Sequence, residues 1–308
     1  MSRATREAYG ETLVELVREG HDIMAVDADL AGSTKLADFQ KAFPKRFVDA
    51  GIAEQDMVGV AAGLSLTGRT VFTGSFAVFA TGRAYDQIRN TVCDSGLNVK
   101  ICPTHAGITV GEDGATHQSL EDVGMMRALP QMRVLVPADY WAAKAALRLA
   151  AEADGPFYVR LGRHKVDEIY DETFKGGIPY AGVLREGTDV TLAACGVEVA
   201  QSLKAAEILA QEGISAEVID VFSIKPLDEG VILASAAKTR RVVTVEEHNI
   251  AGGLGAAVAE LLSEKLPTPM RFAGMRTFGT SAPGDVLLSH FHLDAEGIAA
   301  RVREFVLA

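Results

Sequence analysis

The chain has 308 residues, 48% hydrophobic and 23% charged, with 30 basic side chains against 41 acidic ones and a net charge of −11. This length suits about two domains, and the acidic balance argues against a nucleic-acid or anionic-membrane surface while leaving room for a small anion held by a few converging arginines. No apolar run is long enough to cross a bilayer, and the amphipathic start MSRATREAYGETLVELVREG lacks the apolar core and cleavage site of a signal peptide, so a cytoplasmic protein is expected.

Helical and strand patterns then alternate. The helix TREAYGETLVELVRE closes at Gly20, a residue suited to a helix C′ position. The strand DIMAV, the loop DADLAGST and the short helix KLADFQKAF come next. The strand RFVDA leads into GIAEQDM and the helix QDMVGVAAGLSLTG, whose Gly59, Ala61, Ala62 and Gly63 suggest close helix packing, as across a subunit interface. TVFTG, the helix YDQIRNTVCDS and the strand VKICP precede the glycine-rich loop THAGITVGEDGATHQ. Ser119 and Asp122 form a capping-box pattern at the next helix. RVLVP, the helix YWAAKAALRLAAEA and the strand FYVRL complete a first block, residues 1–165. Periodicity is lost over 166–187, which reads as a linker. Alternation restarts over 188–308, from DVTLAAC to a last helix ending AARVREFVLA. Strands alternating with helices predict an α/β protein of two doubly wound domains with mostly parallel sheets.

In such sheets ligands sit at the carboxyl ends of the strands. The loops there would collect Asp29, Ser33, Glu54, Phe76, Phe79, His105, Asp113, His117 and Arg163 on one face. Each also has a plainer reading. Glu54 can be an N-terminal helix cap, and Phe76 and Phe79, spaced i, i+3, are more often core than ligand contacts. A single loop histidine is usually just hydrogen-bonded. Two of them with an aspartate among Gly107, Gly111 and Gly114 make a ligand loop as good a reading, because glycine lets backbone approach a bound molecule. No set of ligands has zinc spacing, and His290 with His292 lacks a third partner. GGLGAA at 252–257 lacks the full dinucleotide spacing and reads as a helix start packed on a strand. Cys93, Cys102 and Cys195 read as buried free thiols.

Taken together and in this order, VDADLAGST, GIAEQDM and GEDGATHQ resemble the transketolases, enzymes that use thiamine diphosphate. The second half, AEVIDVFSIKPLDE to VVTVEEHNIAGGLG, is similar to the C-terminal domain shared with deoxyxylulose-phosphate synthases and 2-oxoacid dehydrogenase β subunits. The resemblance implies that Glu54 hydrogen-bonds the aminopyrimidine ring, that Phe76 and Phe79 pack on it, and that Asp29 lies near the cofactor. It assigns Arg6, Ser33, His105 and Arg163 to a sugar phosphate, and Asp113 and His117 to substrate hydroxyls near the reacting carbons. His117 joins Glu54 as a catalytic candidate. Gln55 stands where many transketolases have histidine, and Gly82 where a third aromatic often follows. The family's full chain begins with a further domain that binds the diphosphate through Mg2+ with a Gly-Asp-Gly motif, and that triplet occurs nowhere here. The resemblance therefore implies the C-terminal subunit of a split transketolase, active with an N-terminal partner subunit as α2β2 on sugar-phosphate substrates. The alternatives are another thiamine enzyme that decarboxylates a 2-oxoacid, and a non-catalytic scaffold half.

Overall fold

A computed structural model describes residues 2–307. The first sheet has seven strands in the order Ser223–Lys225, Arg133–Leu135, Phe157–Val159, Val99–Ile101, Thr70–Gly74, Ile23–Asp27 and Phe47–Asp49. All neighbours are parallel except Ser223–Lys225, which pairs antiparallel with Arg133–Leu135. The second sheet has five strands, Met270–Met275, Val242–Asn249, Val190–Ala194, Ala216–Asp220 and Gly182–Arg185, of which only the last runs antiparallel to its neighbour. The expected α/β architecture with mostly parallel sheets is what forms.

Burial on both sheet faces explains the near-continuous apolar strands. Along Thr70–Gly74, Phe72 points into a cluster with Tyr9, Leu13 and Leu147, while Val71 joins a second one with Met57, Val58 and Ala61. That second cluster runs on to Ile219, Leu254 and Val258, so the two halves of the chain share a core. A third cluster fills the second half around Leu192, Val218, Val243 and Val302.

Local chemistry sets the element ends. The first helix, Ala8–Arg18, stops at Gly20, whose φ of +105° makes the left-handed turn expected of it. Asp139 caps Tyr140–Glu152 by accepting from Ala142 N at 2.8 Å, and its other oxygen accepts from Ile169 N and Tyr170 N at 2.7 and 2.8 Å. One buried carboxylate thus starts a helix and pins residues 169–170. At the GGLGAA turn the Glu246 carboxylate accepts from Leu254 N and Gly255 N, anchoring the helix Leu254–Lys265 to its neighbouring strand as expected.

Several features depart from the sequence reading. The stretch 166–187 is not without structure: Lys165–Asp167 pairs with Ser2–Ala4, and Gly182–Arg185 edges the second sheet. YDQIRNTVCDS contains a π-helix over Gln87–Cys93 in place of a regular α-helix. The capping box is not made. Ser119 Oγ has no partner, and Asp122 instead takes the Arg160 guanidinium at 2.7 Å and the Tyr158 hydroxyl at 2.5 Å. A buried arginine needs a charge partner more than a helix needs a cap. The three cysteines are free and buried. No helix among the described residues is long and apolar enough to cross a membrane.

Candidate active site

The six parallel strands of the first sheet end on one edge, and the loops leaving five of them carry all the candidate residues except Arg6. Glu54 opens the helix Glu54–Ser65 and is only 4% exposed. Its carboxylate makes no cap bond to its own helix. Instead, Arg83 Nη1 donates to both of its oxygens, at 3.1 and 3.2 Å. The same guanidinium lies 4.1 Å from the centre of the Phe79 ring, and Gln55 Nε2 donates to the Arg83 carbonyl. The Arg83 side chain is half exposed. Sequence reasoning missed Arg83, which stands 29 residues from its partner. The available signal was its i+4 spacing from Phe79, which puts cation and ring on one side of the chain.

Phe76 connects this aromatic end to the rest. Its ring stacks on Phe79 at 5.9 Å and on His105 at 3.8 Å. His117 stands edge-on to Phe79 at 5.3 Å and to Phe76 at 6.3 Å. Phe76, Phe79, His105 and His117 therefore form one aromatic group, from residues spread over 42 positions of chain.

Beyond Phe76 lies a cationic end. Arg6 Nη1 donates to the Ser33 carbonyl at 2.9 Å and meets His105 Nε2 at 3.2 Å. An arginine cannot accept, so Nε2 must, and the His105 proton sits on Nδ1, which faces Thr104 Oγ1 at 2.7 Å. Burial, with Arg6 and Arg163 nearby, pushes the His105 pKa down to about 3, in keeping with that neutral tautomer. Burial and then Arg163 also lower the Arg6 pKa. Arg163 donates to the Val110 carbonyl at 3.0 Å and to Asp113 Oδ2 at 3.1 Å. Asp113 is thus drawn to the cationic end, whereas His117 is oriented by Thr116 Oγ1 at 2.9 Å and by the two phenylalanines.

The loop 28–34 lies over a buried carboxyl. Asp27 accepts from Leu30 N at 2.5 Å and from Thr34 Oγ1 at 3.0 Å, and burial raises its pKa to about 7. Asp29 N donates to Asp49 Oδ1 at 3.1 Å, and the residue is exposed. Asp29 and His105 both have positive φ, 62° and 59°, a conformation that costs a residue other than glycine and collects at functional sites.

The arrangement is suited to a flat, nitrogen-bearing ring. Arg83 shows this directly: a planar group fits against Phe79 while donating to Glu54. The cations on the far side of Phe76 are suited to a phosphate or sulfonate. Among the described residues no three His, Cys, Asp or Glu side chains gather as a metal site.

Comparison with known proteins shows the family. Residues 1–168 match the transketolase pyrimidine binding domain, and residues 179–298 the transketolase C-terminal domain. The chain is 48% identical to a putative transketolase C-terminal section of Methanocaldococcus jannaschii, over 98% of this chain and 96% of that protein. It is 43% identical to the 6-deoxy-6-sulfo-D-fructose transketolase subunit SqwH of a Clostridium species, over 97% of this chain and 93% of that one. A solved split-gene transketolase, described as an inactive β4 tetramer, superposes with a TM-score of 0.91 at 48% identity, covering 99% of this chain and 98% of its own. The two domain matches and the likeness over nearly the full length of split transketolase chains lead to one assignment: the chain belongs to the transketolase family and is the subunit of a split transketolase that carries the pyrimidine-binding and C-terminal domains.

Proposed function

We propose that this subunit holds the aminopyrimidine end of thiamine diphosphate and one face of a sugar-phosphate substrate, and that an N-terminal partner subunit holds the diphosphate through Mg2+. Glu54 carries the reading: it is a buried carboxylate whose charge partner among the described residues, Arg83, is half exposed and lies against the Phe79 ring. Thiamine diphosphate, when bound, supplies a nucleophilic carbon and an electron sink for breaking a carbon–carbon bond. Phe79 and Phe76 would take the flat face of the ring, and Arg83 would swing off Phe79 to admit it. Glu54 would then exchange Arg83 for a ring nitrogen and share a proton with it at hydrogen-bond range. The small neighbours Gly51 and Ala53 leave space for that approach. Asp29, at the rim, would border the cofactor.

At the other end, Arg6 and Arg163 would clamp the phosphate with charge-assisted hydrogen bonds, flanked by Ser33 and the neutral His105. Asp113 and His117 would orient hydroxyls at the cleaved bond, His117 from its place beside Phe79. The reaction is a two-carbon ketol transfer between sugar phosphates. The activity named for the Clostridium relative, on a sulfonated fructose, supports an anion at the substrate's far end. The assembly is two copies of each chain, and the solved relative's description as an inactive β4 tetramer supports the need for a partner. Residues 1–165 and 188–308 would be the two domains on either side of the stretch 166–187. The cytoplasm suits the three unpaired cysteines.

The test is to mix this chain with its partner subunit, thiamine diphosphate and Mg2+, and to assay ketol transfer from a ketose phosphate in parallel with decarboxylation of pyruvate. Transfer should appear only in the mixture. Glu54→Gln should lower turnover by about 10²–10⁴-fold, the usual range for an acid–base group, while the subunit stays folded. Near-normal turnover in that variant, or pyruvate as the better substrate, ends the proposal.

A further inference from the structure

The loop 104–118, which carries His105, Asp113 and His117, is held by its own turns, by the first half and, at several points, by the second half of the chain. Thr109 donates to Glu247 Oε2 through both its backbone N–H, at 3.1 Å, and its hydroxyl, at 2.8 Å. Gly107 has φ +82°, and a Cβ there would lie within 2.1–2.4 Å of the Glu247 carboxylate, so the acid presses against bare backbone. Glu247 is 3% exposed. Its other partner is the buried Arg160, which reaches Glu247 Oε1 at 3.5 Å and donates to the carbonyls of Glu247 and Ser119, both at 3.2 Å. Further along, the Gln118 amide donates to Thr280 O at 2.9 Å as well as to Ile108 O and Gly111 O, and Ser281 Oγ donates to the Glu112 carbonyl at 2.5 Å.

These contacts have a common direction. Besides the loop's bonds to itself and to Ser75, Ser119, Leu161 and Arg163 of the first half, its bonds to the second half all run to residues 247, 280 and 281. A loop whose backbone bonds run to a buried carboxylate takes the position that the carboxylate dictates. The charge balance suits this duty. Glu247 faces Arg160 on one side and two neutral donors of Thr109 on the other, while Asp122 answers the rest of the guanidinium.

We propose that Glu247 of the C-terminal half is a positioning residue for the reaction, fixing the loop 104–118 through Thr109 so that His105, Asp113 and His117 present a preformed face to the substrate. The C-terminal half thereby acts on the site without touching the substrate. This rests on the reading that those loop residues meet the sugar phosphate.

Two measurements on Thr109→Val, Glu247→Gln and Glu247→Ala test it. Amide hydrogen exchange on the full chain alone should quicken by about tenfold or more over 105–118 in Glu247→Ala, less in Glu247→Gln and Thr109→Val, with the strands of both sheets unchanged. In the two-chain enzyme, KM for the ketose phosphate should rise by about tenfold while kcat stays within about threefold, in the same order of severity. Unchanged loop exchange in all three variants overturns the proposal, and so does faster exchange spread evenly over the chain, which would mean only a weakened fold. Should the loop loosen while KM holds, His117→Ala decides what has failed. A raised KM in His117→Ala rejects Glu247 as a positioning residue, and an unchanged one rejects the substrate reading on which the proposal stands. Because Thr109→Val keeps the buried Arg160–Glu247 pair, it remains informative if Glu247→Ala does not fold.

Discussion

The two ends of the site are built in opposite ways. At the aromatic end a single buried carboxylate is answered by one half-exposed arginine on a long side chain, a partner that another hydrogen-bonding group can replace. At the cationic end Arg6, His105 and Arg163 are tied to carbonyls, to a threonine hydroxyl and to Asp113, with His105 held neutral between two guanidinium groups. On the proposed function the first end would be left for an incoming ring to complete, whereas the second is already assembled. A cofactor that binds once and stays can afford to displace a side chain. A substrate that comes and goes at every turnover gains more from a preformed cradle, which spares it the cost of ordering the groups that hold it.

Four experiments probe this contrast. The largest effect belongs to the cationic end. Arg6→Ala should raise KM for a phosphorylated sugar by about 10–100-fold, the worth of a charge-assisted hydrogen bond, with little change for the same sugar lacking its phosphate. Equal loss for both sugars would show that Arg6 serves the fold instead of the anion. Next comes Asp27, whose pKa rises from an ordinary carboxylate value to about 7 in the folded chain. The native state then binds the proton more tightly than the unfolded one, so stability is full at acid pH and falls as pH climbs from about 4 to 7, by about 2 kcal/mol between pH 5 and 7. Asp27→Asn should flatten that slope in urea titrations, and an unaltered slope would contradict it.

His105 should behave in the reverse sense at nearly the same size. Its folded pKa of about 3 lies below the unfolded value, so the native state resists protonation and loses stability as pH falls from about 6.5 towards 3. The loss at pH 5 relative to pH 7 is about 2 kcal/mol, and His105→Gln should remove it. If the variant keeps the full acid sensitivity, the histidine is not the neutral centre of the cluster. The smallest effect is at the aromatic end. Arg83→Met should let the two-chain enzyme bind thiamine diphosphate up to about fivefold more tightly, read by fluorescence titration. Weaker binding would mean that Arg83 holds the cofactor instead of giving way to it.

The sequence carried the architecture well because period and apolar content report on sheets buried on both faces. Met270–Met275 and Thr70–Gly74 fall where MRFAGM and TVFTG indicate. What escaped was pairing that depends on distant partners. Ser2–Ala4, Lys165–Asp167 and Ser223–Lys225 each hold a single apolar residue, unlike the equally short Arg133–Leu135 and Phe157–Val159, and only the opposing strand makes them strands. The candidate site divides similarly. Loop positions gave the residues on the sheet edge, and the resemblance gave the reason to gather them. Yet neither indicated that Arg83 covers Glu54, that Asp113 turns to Arg163, or that Ser33 offers its carbonyl to Arg6. Those are choices of side-chain direction, settled by packing after the backbone is fixed.

The antiparallel strand Ser223–Lys225 ties the molecule together in a way its domain names conceal. It leaves the second half, lies along Arg133–Leu135, and sends the Lys225 ammonium to the carbonyls of Arg127 and Leu129 at 2.9 and 2.5 Å. Severing the peptide anywhere between residues 171 and 177 would therefore not release two separate bodies. The fragments would stay clasped; expressed without the other, the first would lack the edge strand of its sheet, and neither would have a covered core.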